Sequence, residues 1–114
     1  MSYFSLHCHT EYSNLRFLDS TNKLKDLINT AISLNLKGVA ITDHEALSGW
    51  IKAIQIQKKL QEQGSDFRIF LGDEIYLVDS IEDVKDNYAP RQTKFYHFTL
   101  SVSRVTDNLR TSFP

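Results

Sequence analysis

The chain of 114 residues has a single cysteine and almost no charge imbalance, with 13 basic and 14 acidic side chains and a net charge of −1. One cysteine cannot form an internal disulfide, which excludes a disulfide-stapled secreted domain and agrees with a reducing compartment. The interspersed charges provide no basic field that would draw the chain onto nucleic acid or a membrane surface. With 41% apolar residues, we expect one globular domain over residues 1–114.

Long apolar runs are also missing. The apolar runs are far shorter than the roughly 20 residues that a membrane-spanning helix needs. The first residues lack the basic start and the apolar stretch of a signal peptide. No internal repeat or low-complexity segment is visible. We therefore expect a cytoplasmic protein that makes no contact with a membrane.

All four histidines of the chain stand in contexts that suit metal ligands. His7 and His9 end a short apolar segment, and alternate residues of an extended strand share a face, so Ser5, His7 and His9 are expected on one side. Two imidazoles on one face can approach a single ion, and imidazole suits zinc, iron and similar cations. Cys8 falls on the opposite face, where we interpret it as a small buried apolar residue.

Hydrophobic periodicity predicts strands and helices in alternation. The run at residues 39–41 is short and continuous, which is typical of a strand buried on both faces of a parallel sheet. Such an order implies βαβ units, a parallel sheet and flanking helices, which is an α/β fold. The predicted elements are a strand at 3–8, a helix from Leu24 with Gly38 as its stop, a strand at 39–41, a helix through Leu47, Trp50, Ile51 and Ile54 to about Gly64, a strand at 68–78 broken at Gly72, a loop at 80–91 and a strand at 95–102.

Polar and charged residues mark the carboxyl ends of the predicted strands, where functional groups of α/β folds gather. Asp43 and His44 follow the second strand, and Glu74 follows the apolar start of the third. Carboxylates are almost never buried unless they are paired or bind a metal, which makes Glu74 a strong candidate ligand. His97 lies within the fourth strand on its more polar face, from which it could reach the same ion.

Short motifs around these positions recur in a fixed order along nearly the whole chain. They are FSLHCHTEYS at 4–13, LD at 18–19, AITDH at 40–44, LSG at 47–49, LGDEIY at 71–76 and YHFTL at 96–100. In content and order they resemble the polymerase and histidinol phosphatase (PHP) domain. More narrowly, they resemble the form of this domain at the N-terminus of the bacterial DNA polymerase III alpha subunit.

The resemblance implies two or three divalent metal ions, zinc, manganese or iron, that activate a water and clamp the oxygens of a phosphoester. It also implies that Asp43 supports the ligands and that Asp43 and His44 form the catalytic pair. Without the resemblance, Asp19 would be interpreted as a residue at a helix N-terminus. The metal ligands that the resemblance implies are His7, His9, Asp19, His44, Glu74 and His97.

The fold that the resemblance implies is a distorted (β/α)7 TIM-like barrel, and barrels of this general type commonly need about 200 residues or more. A later histidine and an Asp-x-His pair of the family have no counterpart in this sequence. We therefore expect the N-terminal half only, a partial, truncated barrel with parallel strands and flanking helices. Ser20 and Glu45 occupy positions where the family usually has glycine.

Three functions fit these observations. The first is the PHP module of a DNA polymerase III alpha-type protein in DNA replication, with metal-dependent phosphoesterase or 3′–5′ exonuclease ancestry and a phosphoester or DNA end as substrate. The second is a free-standing phosphoesterase resembling histidinol phosphatase. The third is a non-catalytic module, a phage or prophage remnant, whose open sheet edge binds replication proteins or a second copy. Whether the half-barrel is itself an enzyme stays open, and 114 residues leave no room for a polymerase site.

Overall fold

Two helices pack against a four-stranded sheet in the computed structural model, which describes residues 3–15, 18–80 and 96–102. The predicted α/β fold with flanking helices is confirmed. The predicted loop at 80–91 lies outside the described residues, apart from Ser80. In chain order the elements are β1 (Phe4–Cys8), a 3-10 turn (Glu11–Ser13), α1 (Leu24–Ser33), β2 (Gly38–His44), α2 (Trp50–Glu62), β3 (Arg68–Leu77) and β4 (Tyr96–Val102).

The sheet has the strand order β1-β2-β3-β4 and is parallel except at its last pair. β2 pairs in parallel with both β1 and β3, as predicted. β3 and β4 are antiparallel, with Leu71 opposite Val102 and Leu77 opposite Tyr96, so the prediction of parallel strands is wrong for β4. The alternating polar and apolar residues of β4 are typical of an antiparallel strand, whereas parallel strands are usually continuous apolar runs.

β2 is the buried centre of the sheet. All seven of its residues are buried, including Val39 and Ile41 toward the core and Ala40 between them, so the strand is covered on both faces as predicted. Burying a side chain of the size of Ile41 stabilises the fold by roughly 1.5–3 kcal/mol. The core that joins the helices to the sheet consists of Leu24, Ile28, Ala31, Val39, Ile41, Ala53, Phe67, Ile69 and Leu71.

β1 departs from regular alternation. Ser5 pairs with Val39 and Cys8 with Ile41, so β1 has one more residue than β2 over this stretch, which is a β-bulge. Because of the bulge, Ser5 shares a side with Cys8, and their Oγ and Sγ atoms lie 3.2 Å apart. The prediction that Ser5 and His7 share one regular face is therefore wrong. Cys8 is half-buried against the core.

At the bulge, the hydroxyl of Thr42 takes the place of a backbone partner for Cys8. The backbone N–H of Cys8 donates to Thr42 Oγ1 at 3.1 Å, and the same hydroxyl lies 3.3 Å from the carbonyl oxygen of Cys8. A buried backbone group without a partner would cost about 1–3 kcal/mol. Thr42 therefore lets β1 bulge while it stays attached to the sheet.

α1 ends earlier than the sequence predicted. The helix stops at Ser33, and Asn35 takes the left-handed conformation (φ 59°) that commonly terminates helices. Gly38, the predicted stop, is instead the first residue of β2. A Cβ at Gly38 would come within 2.4 Å of the carbonyl oxygen of Arg68 and 2.8 Å of a ring carbon of Phe4, so the close approach of three strands requires glycine.

The buried face of α2 is predicted in part: Trp50 and Ile54 pack against the core as predicted, and Leu47 and Ile51 do not. Leu47 precedes the helix and is 51% exposed, and Ile51 is 70% exposed. The buried residues are Ala53 and Gln57, which follow Trp50 at the i+3 and i+7 positions of one helical face. Gln57 accepts a hydrogen bond from the N–H of residue 69 at 2.6 Å and donates to the carbonyl of residue 67 at 3.1 Å. A buried amide thus joins α2 to the start of β3.

β3 continues through Gly72, where the sequence predicted a break. Gly72 pairs with Thr42 on one side and Ser101 on the other, so its strand conformation is held from both neighbours. Its carbonyl also accepts a hydrogen bond from Trp50 Nε1 at 3.1 Å. None of the helices in the described part of the chain is long and apolar enough to cross a membrane.

Candidate metal centre

Three side chains converge at one end of the sheet and are named here the His7–His9–Glu74 cluster. The Nε2 atoms of His7 and His9 lie 3.2 Å apart. Glu74 Oε2 lies 2.5 Å from His7 Nε2 and 3.1 Å from His9 Nε2. The imidazole rings meet edge to face with their centroids 5.1 Å apart. The three atoms that could bind a metal therefore share one small volume.

The topology of the sheet brings the members of the cluster together. His7 lies near the carboxyl end of β1 and His9 follows that strand directly. Glu74 lies in β3, where it is paired in register with His44 at the carboxyl end of β2. The carboxyl ends of parallel strands meet at one edge of a sheet, which is where the sequence predicted the site.

The atoms of the cluster fit a divalent metal ion. Zinc–ligand bonds of about 2.0–2.1 Å place neighbouring tetrahedral ligands about 3.3 Å apart. Two of the three observed separations, 3.1 and 3.2 Å, are close to this spacing, while the 2.5 Å between Glu74 Oε2 and His7 Nε2 is a hydrogen-bond distance that would widen around an ion. Among the described residues, these three form a group whose ligand atoms all lie within 4.8 Å of one another. The side chain of His7 is 57% exposed, so a substrate could approach from that side.

Asp19 holds the second nitrogen of His9. Asp19 Oδ2 lies 2.6 Å from His9 Nδ1, which leaves Nε2 facing the cluster. Asn14 fixes the backbone here, because its Oδ1 accepts hydrogen bonds from the N–H groups of Asp19 and Ser20 at 2.7 and 2.8 Å. A carboxylate on the second nitrogen fixes the tautomer and orientation of a metal-binding histidine. That Asp19 itself binds a metal stays a prediction.

The pKa values of two members of the cluster shift in opposite directions. Burial lowers the pKa of His9, but hydrogen bonds with Asp19 and Glu74 outweigh burial and raise the pKa above its usual 6.5. Burial raises the pKa of Glu74, but hydrogen bonds from His7 and His9 outweigh burial and lower the pKa below its usual 4.5. Glu74 is therefore an anion at neutral pH, and a proton competes with any cation for His9.

Asp43 is the centre of a separate arrangement, which we name the Asp43 network. The side chain is buried, and its Oδ1 accepts hydrogen bonds from the N–H of Thr10 and, at 3.2 Å, from the hydroxyl of Ser13. The hydroxyl of Thr10 lies 2.9 Å from both carboxylate oxygens. Since Thr10 follows His9 directly, Asp43 fixes the turn that leaves the cluster. Its predicted catalytic role stays a prediction.

His44 is not in the group of three, and His97 is described only in its backbone. His44 is buried, its N–H donates to Ser13 Oγ at 2.8 Å, and its ring meets the edge of Tyr76 with centroids 4.8 Å apart. The backbone of His97 pairs with Tyr76 across β3 and β4. The side chain of His97 lies outside the described part of the structure. The predicted metal-binding roles of both histidines, and the catalytic role of His44, stay predictions.

Ser20 and Glu45, which stand where the family usually has glycine, have distinct local roles. Glu45 has a left-handed backbone (φ 51°), a conformation that glycine adopts at lower cost and that explains a preference for glycine there. Its N–H donates to the carbonyl oxygen of Glu74 at 2.8 Å. The hydroxyl of Ser20 donates to the carbonyl of His9 at 3.0 Å. Both residues therefore form hydrogen bonds with the backbone of cluster residues, Glu45 with Glu74 and Ser20 with His9.

Several residues that hold the site were not singled out from the sequence. Glu11 caps α1, because its Oε2 accepts a hydrogen bond from the N–H of Leu24 at 2.7 Å while the residue at the N-cap, Lys23, makes no such bond. A capping residue 13 positions upstream leaves no local signal. Thr10, Ser13 and Asn14 were likewise missed, since hydroxyl and amide residues after a strand commonly belong to a solvated turn.

Comparisons with known proteins agree with these observations. The sequence profile of the PHP domain matches residues 5–112. The probable DNA polymerase YorL of Bacillus subtilis (strain 168) and the DNA-directed DNA polymerase of Bacillus phage SPbeta are each 50% identical over 97 residues, 82% of this chain and 7% of each relative. DNA polymerase III subunit alpha of Treponema pallidum is 31% identical over 107 residues, 93% of this chain and 8% of that protein. The chain thus spans less than a tenth of the length of these relatives.

Proposed function

The chain belongs to the PHP domain family, and on that premise we propose that it is the PHP module of a DNA polymerase III alpha-type protein. We further propose that it binds a divalent metal ion and hydrolyses a phosphoester at the end of a DNA strand. The names of the relatives, DNA polymerases from bacteria and a phage, support the first part. A cytoplasmic location and a role in DNA replication follow from the same proposal.

The observation that carries the metal proposal is the convergence of two imidazole nitrogens and one carboxylate oxygen in the His7–His9–Glu74 cluster. Two histidines with one glutamate are a ligand set of catalytic zinc sites, which keep a further position open. Zinc is therefore the ion we favour, with manganese and iron as alternatives. When bound, such an ion would lower the pKa of a water and polarise a phosphoester oxygen.

The side chains of this protein would bind the metal ion, orient its ligands and leave room for the substrate. Glu74 contributes a full negative charge, since the hydrogen bonds from the histidines keep its pKa low. Asp19 holds His9 with Nε2 toward the cluster. The exposure of His7 leaves room for a phosphate group beside it. His44, buried at the end of β2, is the residue we propose to act on the substrate with support from Asp43.

The test is to measure bound zinc, manganese and iron in the purified chain and in the double variant His7→Ala/His9→Ala. The control is Gln61→Ala/Gln63→Ala, which truncates two exposed polar side chains at the end of α2. We expect stoichiometric metal in the wild type and the control, and loss of it in the histidine variant. Equal metal in all three proteins would contradict the proposed site.

Hydrolysis assays separate the possible substrates. Release of nucleotides from the 3′ end of single-stranded DNA by the metal-loaded chain, lost in His7→Ala/His9→Ala, is the expected result. Hydrolysis of a small phosphomonoester without attack on DNA would instead favour a phosphoesterase resembling histidinol phosphatase. Metal binding without either activity would limit this chain to a metal-stabilised module of the parent protein.

A non-catalytic interaction module is the second candidate, and the exposed side chains of β4 favour it. β4 is an edge of the described sheet, and its Tyr96, Phe98 and Leu100 are 45%, 48% and 57% exposed. An apolar edge strand of this kind is a template for pairing with another chain. We expect self-association or binding of a replication protein to be lost in Phe98→Asp/Leu100→Asp, as measured by sedimentation. A monomeric wild type that binds no such protein would remove this candidate.

A further inference from the structure

A groove of about 990 Å³ runs between α1 and α2 on the helical side of the molecule. Its walls come from the first two turns of α1 and from most of the length of α2. Lys52, Gln55 and Lys59 follow one another at the i+3 and i+7 spacing that aligns side chains along one helical face. The groove lies outside the His7–His9–Glu74 cluster and shares none of its residues. The lysines that line it are Lys23, Lys25, Lys52, Lys58 and Lys59.

The groove gathers positive charge that the sequence did not show. Interspersed charges predicted no basic field, and the chain as a whole has a net charge of −1. Yet five of its 13 basic residues line this groove against three carboxylates, Glu11, Asp26 and Glu62, an excess of two positive charges. The carboxylate of Glu11 is already used to cap α1. Within the described residues, no ion pair joins any of the five exposed lysines to a carboxylate.

One end of the groove adjoins the loop that carries His9. Glu11, which lines the groove, is two residues from His9 along the chain. Lys23 follows Asn22, whose side chain donates a hydrogen bond to the carbonyl of His9 at 3.4 Å and whose carbonyl accepts one from the N–H of Glu11 at 2.8 Å. This end of the groove therefore lies beside the turn that carries His9.

We propose that this groove binds the phosphate backbone of a single DNA strand and guides its end to the His7–His9–Glu74 cluster. Ammonium groups spaced along a channel match phosphates spaced along a strand, and this attraction needs no base recognition. The half-buried side chains of Ile56 and Leu60 offer apolar surface against which sugars and bases can pack. The identity of the polyanion as DNA rests on the proposed function.

The experiment measures the binding of a fluorescent oligo(dT) of about 16 nucleotides to the full chain by anisotropy over a range of salt concentrations. The test variant is Lys52→Gln/Lys59→Gln, and the control is Lys37→Gln/Arg68→Gln, which removes the same charge at exposed or half-buried positions away from the groove. Binding to single strands weakens with salt by a slope of about 0.7 per phosphate contact. We expect the groove variant to bind about tenfold more weakly at low salt, with a slope smaller by about 1.4.

Three results would contradict the proposal that the groove binds DNA. They are an equal loss of oligo(dT) affinity in the groove variant and its control, no loss of affinity in either, and displacement of oligo(dT) by polyglutamate at equal charge concentration. Failure of the proposed function is separable, because that function is tested by bound metal and by hydrolysis, whereas the groove is tested by the difference in oligo(dT) affinity between Lys52→Gln/Lys59→Gln and its control. If the wild type binds no metal while Lys52→Gln/Lys59→Gln alone loses affinity for oligo(dT), the proposed function is contradicted and the groove is supported. Metal-dependent hydrolysis of DNA that is as fast in Lys52→Gln/Lys59→Gln and in Lys37→Gln/Arg68→Gln as in the wild type would support the proposed function and contradict a role of the groove.

Discussion

Two buried carboxylates lie on neighbouring strands at the same end of the sheet, and their surroundings differ. Asp43 is 1% exposed and accepts hydrogen bonds from uncharged groups of Thr10 and Ser13. Glu74 is 7% exposed and contacts the imidazoles of His7 and His9. Asp43 is surrounded by hydrogen-bond donors that do not titrate near neutral pH, whereas Glu74 faces two imidazoles, which can bind either a proton or a metal ion.

The difference separates folding from function within one site. Buried carboxylates are costly unless they are fully hydrogen-bonded, so the Asp43 network is expected to contribute mainly to stability. The His7–His9–Glu74 cluster brings an anion and two basic nitrogens together beside an exposed face, an arrangement that suits a cation. Substitutions in the two places should therefore change different measured quantities.

The largest effect is expected for Asp43→Ala in the network. The change leaves the N–H of Thr10 and the hydroxyls of Thr10 and Ser13 without their acceptor in a buried place. We expect a loss of about 3 kcal/mol in the free energy of unfolding, measured in urea. Asp66→Ala, at a side chain that is 85% exposed, should change stability by less than about 0.5 kcal/mol. Equal stability of the two variants would show that the network contributes little.

The converse change is Glu74→Gln in the cluster. An amide keeps the size of the side chain but loses its charge, so we expect zinc affinity to fall by at least about 100-fold, measured by competition with a chelating dye. The free energy of unfolding without metal should change by about 1 kcal/mol or less. Glu62→Gln, at an exposed position at the end of α2, is the matched control and should bind zinc as the wild type does. Unchanged zinc affinity in Glu74→Gln would contradict the role of Glu74 as a metal ligand.

Asp19→Ala tests whether Asp19 binds a metal or orients His9. If Asp19 acts through its hydrogen bond to His9 Nδ1, zinc affinity should fall by about 10–100-fold with unchanged stoichiometry. A ligand to a further ion would instead reduce the number of bound ions. Asp26→Ala, in the exposed first turn of α1, is the control. Wild-type zinc affinity in Asp19→Ala would contradict both roles.

The smallest effect is expected for Asp73→Asn, beside Glu74. Burial raises the pKa of Asp73, with repulsion from Glu45 and Asp43 adding to burial and the N–H of Ala46 opposing it. A raised pKa means that the folded state binds the proton more tightly, so the wild type loses stability as pH rises from its usual 3.8 through the raised value. An amide keeps an acceptor for Ala46 and removes that loss. We expect a gain of about 0.5 kcal/mol at pH 7 that disappears below pH 3.8, measured by thermal unfolding. A loss of stability at pH 7 would contradict this account.

Much of the scaffold could be predicted because its signals are local. The apolar run of β2 predicted a buried central strand, and the strand ends predicted where His7, His9 and Glu74 would meet. The bulge in β1 could not be predicted, since it depends on the hydroxyl of Thr42, which is distant in sequence and replaces a lost backbone partner. The two histidines still meet, although the regular alternation from which their meeting was inferred is absent.

The supporting interactions were harder to predict because they join residues far apart in the chain. Asp43 looked like a neighbour of the metal ligands, yet its acceptor atoms hold Thr10 and Ser13, some 30 residues earlier. Five lysines spread over residues 23–59 looked dispersed until two helices brought them to one groove. A sequence pattern reports the period of one element, whereas these sites depend on how elements pack.

Anomalous diffraction from crystals of the chain grown with zinc tests the central claim most directly. The account predicts a zinc peak within about 2.0–2.2 Å of three atoms, the Nε2 of His7, the Nε2 of His9 and a carboxylate oxygen of Glu74. Crystals of the folded chain that show no zinc at these atoms, while the hydrogen bonds among the three side chains persist, would contradict it.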